Sequence, residues 1–200
     1  VLLVSPWGFE EMCLRKFYRE IGEALAARGI ASLRFDLPGT GDSSDPEGGP
    51  SLESWGEAIK AAAAELQRLS GVRNVILAGH GLGATLALTA ADEIAGVTGL
   101  ALLAPVTSGR TYVRETGLWW KMVAADLHID PQDGAGSSLS IAGLELSDTM
   151  TAEIKKLKAQ DRLPQRPLKV LAVNRPSATG DEDLAKALED AGSTVERLGY

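Results

Sequence analysis

A doubly wound, mostly parallel α/β sheet in a single domain, with a cap inserted late in the chain, is the fold class that this 200-residue sequence predicts. Three observations predict it. Short apolar runs of β character alternate with helical stretches from one end of the chain to the other, and such alternation folds into a parallel sheet wrapped on both faces by crossovers. The run from Asn74 to Leu88 passes from an apolar strand through a glycine-rich turn directly into an apolar helix. One excursion, residues 109–166, is far too long for a crossover and marks an insertion over the strand ends, where ligands of such sheets sit.

The elements follow in order. Val1-Leu-Leu-Val4 reads as a buried strand. Residues 17–27 place Phe17, Ile21, Ala24 and Leu25 on one helical stripe, with Arg28-Gly29 as its C-cap. A second strand spans 31–35, and residues 54–69 set charges against an alanine-rich face, forming a helix that ends at Ser70-Gly71. Strand 75–78 follows. The helix from Ala84 to Glu93 is apolar nearly all round, which suits burial beneath the sheet. Strands at 100–103, 170–173 and 194–198, and a helix at 181–191 closed by Gly192, complete the alternation. The excursion holds Trp119-Trp120, a polar, glycine-rich patch at 133–138 and a helical run at 151–159. It is read as a lid, its tryptophans either walling a pocket or packing the lid onto the body.

Composition narrows the classes of partner. With 44% hydrophobic residues the chain can bury one sizeable core, and its net charge of −7 speaks against a nucleic-acid or anionic-membrane surface. No apolar run approaches the ~20 residues of a membrane span. The lone cysteine, Cys13, excludes an internal disulfide framework and fits a reducing compartment, so a cytoplasmic location is expected. A protein partner or a homodimer stays open. The chain opens on a strand without an initiator methionine and closes on another, and is therefore expected to be an excerpt, truncated at both ends. No cofactor or metal is expected: no Cys/His cluster has ligand spacing, and Gly79 to Gly83 lacks the signatures of phosphate-binding loops.

Gly79-His-Gly-Leu-Gly83, coming after a strand, resembles the G-x-S-x-G nucleophile elbow, with Gly81 where the serine would stand. Arg34-Phe-Asp-Leu-Pro-Gly-Thr-Gly-Asp-Ser43 resembles the D-x-x-G-x-G-x-S loop that follows the preceding strand in the same proteins. Ser5-Pro-Trp-Gly-Phe-Glu-Glu11 stands in the place of their oxyanion loop. In these motifs and their order the sequence resembles the α/β-hydrolase superfamily along essentially its whole length, and within it a bacterial subgroup of serine-aminopeptidase-type hydrolases. The resemblance implies oxyanion amides at Phe9 and Leu82, and a pocket bordered by Trp7, His80, Trp119 and Trp120.

It also implies an acid after a late strand and a histidine after the last one, and neither slot is filled in the usual way. The acid slot reads Asn174-Arg-Pro-Ser-Ala-Thr-Gly-Asp181, which puts Ser177 or Ala178 nearest the usual aspartate. Asp181 is the weak acid candidate; it equally suits the amino end of the following helix. The other slot, Pro105-Val-Thr107, has no carboxylate, and the chain ends at Tyr200, about where the histidine loop would begin. His80 precedes the elbow apex and His128 lies in the cap. Cys13 reads as a buried structural residue, Asp42 and Ser43 as the side chains that hold the Gly39-Thr-Gly41 turn, and Glu10 and Glu11 as a charged first helical turn that borders the cleft.

The expected function is that of a pseudo-hydrolase, a protein that keeps oxyanion amides and a capped pocket but lacks the nucleophile at Gly81, and so binds a small acyl or carbonyl ligand or a protein partner. The alternative is an active hydrolase of esters, amides or thioesters that uses a non-standard nucleophile or residues outside this excerpt. A third reading makes Gly81 a replacement for a native serine.

Overall fold

The computed structural model describes residues 1–126, 128, 139–141, 144–176 and 178–199. The glycine-rich patch at 133–138 and the slot at Ser177 lie outside the described residues. Along the chain run β1 (Leu2–Val4), α1 (Phe9–Ala26), β2 (Leu33–Phe35), α2 (Leu52–Ser70), β3 (Val75–His80), α3 (Leu82–Ala90), β4 (Val97–Leu103) and α4 (Gly109–Asp126). A hairpin of β5 (Leu139–Ile141) and β6 (Leu144–Leu146), helix α5 (Asp148–Lys156) and a 3-10 turn (Ala159–Arg162) lead to β7 (Lys169–Asn174), α6 (Thr179–Asp190) and β8 (Thr194–Gly199). Six strands form one sheet in the order β2-β1-β3-β4-β7-β8, every neighbouring pair parallel. This is the α/β class that the alternation predicts. From β1 the chain steps outward to β2 and then returns to the other side of β1 for β3, so the strand order reverses between β1 and β3. A crevice opens at the carboxyl ends of two such strands.

Each helix has a local cause. The Ser51 hydroxyl accepts from the Ser54 amide while the Ser54 hydroxyl accepts from the Ser51 amide, a reciprocal box that starts α2 two residues earlier than its charge pattern announced. Trp55, Ile59, Ala63 and Leu66, spaced by fours and a three, then face the core, and Gly71 ends the helix in the left-handed conformation. Every residue of α3 except Thr89 is buried, as its uniform apolarity requires.

The two faces of the sheet are covered unequally. Leu2, Val4, Val75, Leu77, Leu100, Leu102 and Val170 share one continuous core with Trp55, Ile59, Leu86, Ile154, Leu184 and Leu188 of the helices. On the opposite face Leu3 lies beside Tyr18 and Gly22 of α1, and Ile76 is 42% exposed. That thin cover explains why the stripe predicted for α1 is only half-buried at Ile21 and Leu25 and exposed at Phe17 and Ala24.

Two sequence expectations are corrected here. Cys13 is exposed rather than buried, because Glu11 and Tyr18, seven residues apart, define the inner side of α1 and Cys13 falls off it. The turn at Gly39-Thr-Gly41 is held by Asp36, whose Oδ2 accepts from the Asp42 amide at 3.0 Å, and by Thr40 Oγ1 donating to the Leu37 carbonyl at 2.8 Å. Among the described residues no helix is long and apolar enough to cross a membrane.

Candidate active site

Three backbone approaches build the elbow. A Cβ on Gly79 would lie 2.5 Å from the Gly83 carbonyl, and one on Gly83 would run into the Val4 and Ser5 carbonyls, so both positions require a hydrogen atom in place of a side chain. Between them Gly81 takes φ 55°, ψ −123°, a conformation that glycine adopts freely. It donates to the Leu103 carbonyl at 2.9 Å and accepts from the Val106 amide at 3.2 Å, which fixes the turn to the end of β4. Thr85 Oγ1 adds a buried bond to the Val106 carbonyl at 2.8 Å.

Above Gly81 lies a cleft of about 320 Å³ lined by Trp7, Phe9, Glu10, Ala104, Val106, Tyr112, Glu115, Thr116, Trp119 and Arg175. It sits at the crevice between β1 and β3. Phe9 and Leu82 are the first residues of α1 and α3, so their amides belong to first helical turns, whose donors have no acceptor within the helix. The Phe9 and Trp119 rings meet at 4.9 Å between centroids, which ties the start of α1 to α4 across the cleft.

The space that a side chain at residue 81 would enter is taken. A Cβ built on Gly81 would meet Glu10 Oε2 at 2.7 Å. The Glu10 side chain keeps solvent contact at the cleft mouth, yet its carboxylate end is crowded by the walls. That local desolvation holds its pKa above the usual carboxylate range, against the opposing pull of Arg175.

Arg175, the first residue after β7, comes from the far wall. Its Nη2 donates to Asp181 Oδ1 at 2.7 Å and to the Pro105 carbonyl at 3.0 Å, and its Nε and backbone amide both donate to Asp181 Oδ2. Asp181 is buried in the first turn of α6, and both its oxygens are engaged by Arg175. The acid candidate thus stands one residue removed from the cleft, paired with the guanidinium that lines it. Asp181→Ala is expected to destabilise the fold by about 2–3 kcal/mol, because it strips a buried acceptor from three donors. Urea unfolding checks this, and a shift below about 0.5 kcal/mol would show that the pairing is not structural.

The other sequence candidates divide. Trp7 and Trp119 line the cleft; Trp120 instead packs against the core, since consecutive helical residues point about 100° apart. His80 ends β3 beneath the elbow. Its buried Nδ1 has no hydrogen-bond partner among the described residues, and burial, then Arg175, lower its pKa, which keeps it neutral. His128 is exposed. Sequence reasoning missed Tyr112, Glu115 and Thr116, although with Trp119 they follow the spacing of one helix face, and it missed Arg175, whose position just past a strand was the available signal. Among the described residues no group of three His, Cys, Asp or Glu side chains could hold a metal ion.

Comparison with known proteins agrees with this geometry. The model of the hydrolase family described as serine aminopeptidase, S33, matches residues 6–168. No curated protein matches the sequence. Among solved structures, Est1E from Butyrivibrio proteoclasticus with ferulic acid bound is similar at 19% identity and TM-score 0.73, over 100% of this chain and 78% of that one. The monoacylglycerol lipase of Paleococcus ferrophilus is similar at 17% identity and TM-score 0.62, over 99% and 83%. The Pyrococcus furiosus esterase PF2001 is similar at 13% identity and TM-score 0.67, over 99% and 70%.

Proposed function

The chain belongs to the serine aminopeptidase S33 family of α/β-hydrolases, and from that premise we propose that it is a pseudo-hydrolase in the serine sense, binding a small acyl or carbonyl compound in the cleft and forming no acyl-serine at the elbow. The observation that carries this reading is Gly81 in the elbow conformation with the Glu10 carboxylate where a nucleophilic side chain would project. The walls supply aromatic rings for the body of a ligand, and the first-turn amides of Phe9 and Leu82 supply donors for its carbonyl oxygen. Helix α4 serves as the lid, with Tyr112 and Trp119 as its contact face. A second reading, hydrolysis by a group other than an elbow serine, is favoured by the same Glu10 carboxylate.

Trp7 and Trp119 make occupancy visible. Titration with N-(4-nitrophenyl)butanamide, an acyl amide that resists hydrolysis, is expected to quench tryptophan fluorescence saturably, and Thr116→Phe, which fills the cleft, to abolish the quenching. Diisopropyl fluorophosphate is expected to leave the intact mass unchanged. Absence of saturable binding up to millimolar ligand, or a covalent adduct on a serine, would overturn the reading.

A further inference from the structure

We propose that the Glu10 carboxylate is a general base that activates water for attack on a carbonyl seated over Gly81, so that the cleft hydrolyses activated esters without a serine. The proposal rests on the reading of the cleft as a carbonyl site. Its geometric basis is a single coincidence: the one feature of the elbow that has been removed, a reactive oxygen projecting from residue 81, is replaced by an oxygen reaching in from α1, 2.7 Å from where the Cβ would be. Glu10 is the second residue of α1, directly after Phe9, so the backbone that offers the oxyanion amide also aims the carboxylate. Glu10 and Gly81 both line the cleft, so a water held by the carboxylate stands on the side from which a carbonyl would approach.

The steps balance. The carboxylate takes a proton from water as the water oxygen bonds to the carbonyl carbon, and the carbonyl oxygen becomes an oxyanion held by the amides of Phe9 and Leu82. The oxyanion collapses, the bond to the leaving oxygen breaks, and the Glu10 carboxyl returns its proton to the leaving alcoholate. The products are a carboxylic acid and an alcohol, with no oxidant, metal or second substrate involved.

Burial comes first in the titration of Glu10, and it raises the pKa. Arg175 at the end of β7 opposes that rise by favouring the ionised form; the acidic side chains beside Glu10 are Glu115 on α4, which lines the same cleft, and its chain neighbour Glu11 on α1. Burial raises the pKa of Tyr18 and Tyr112, so both phenols stay neutral, and His80 stays neutral through burial. The base must be ionised to work, so the rate rises with pH through one carboxyl midpoint above the usual glutamate range of about 4.3 and then levels off.

The test is the hydrolysis of p-nitrophenyl butyrate by the protein and by Glu10→Gln, with binding of N-(4-nitrophenyl)butanamide measured on both. The expected result is turnover above a heat-denatured control, a loss of about a hundredfold or more in kcat for Glu10→Gln with KM and amide binding retained, and the stated pH profile in the parent. Hydrolysis in ¹⁸O-water is expected to label butyrate and leave the Glu10 peptide unlabelled. Amide binding without turnover in the parent, or an undiminished rate in Glu10→Gln, overturns the base while leaving the carbonyl site intact. Label in the Glu10 peptide also overturns it, since that marks direct attack by the carboxylate. Failure of the parent to bind the amide removes both readings.

Discussion

Gly83→Ala is expected to leave no stable folded protein. The added methyl would run into the Val4 and Ser5 carbonyls, and a backbone carbonyl at the end of a central strand has no rotamer by which to retreat. Relief demands that α3 move away from β1, which opens the most completely buried helix of the molecule. The cost is above about 4 kcal/mol, beyond the range of ordinary substitutions. Soluble yield and urea unfolding followed by circular dichroism check it. Gly56→Ala provides the contrast, since its Cβ on α2 meets nothing within 4 Å, and a gain of up to about 1 kcal/mol is expected there. A Gly83→Ala protein as stable as its parent would mean that the elbow is looser than its contacts indicate.

Trp55→Ala is expected to cost about 3–5 kcal/mol. Trp55 is 0% exposed, and its Nε1 donates to the Pro38 carbonyl at 3.0 Å, so the indole joins α2 to the loop that ends in the Gly39-Thr-Gly41 turn. Alanine leaves both a cavity and an unpaired carbonyl. Trp55→Phe separates the two effects, because it keeps most of the packing and loses the hydrogen bond, for about 1–2 kcal/mol. Equal unfolding midpoints for the two variants would show that the hydrogen bond, and not the ring, carries the effect.

The succession of strands and helices along the chain, and most helix ends, were legible in the sequence because they follow from periodicity and from glycine, whereas the order of the strands within the sheet was not. Gly29, Gly71 and Gly192 each take positive φ just past the helix they were expected to close. The start of α1 was less legible. Its first turn, Phe9 to Met12, is contributed by a loop motif and carries no apolar stripe, so periodicity begins only near Phe17. The strand-turn-helix corner at Gly79 to Gly83 was visible as a motif, whereas the side chain that reaches over it was not. Glu10 reads locally as a favourable charge in a first helical turn, and only the approach of α1 to β3 puts it over Gly81. Asp181 was visible as an acid at the amino end of a helix, but its burial and its pairing with Arg175 depend on how β7 meets α6, a tertiary fact with no local pattern.

The dihedral angles of Gly81 also bear on which changes at this position are easily reversed. An L side chain held at φ 55°, ψ −123° raises the energy of the folded state by about 1–3 kcal/mol, whereas glycine sits there relaxed. At such a corner, glycine is the residue of lowest strain. A side chain introduced at position 81 is opposed twice over, because it must accept the unfavourable backbone and also push the Glu10 carboxylate from the position it holds. A glycine at this corner is therefore not readily exchanged: any larger residue at position 81 answers both to the backbone and to Glu10.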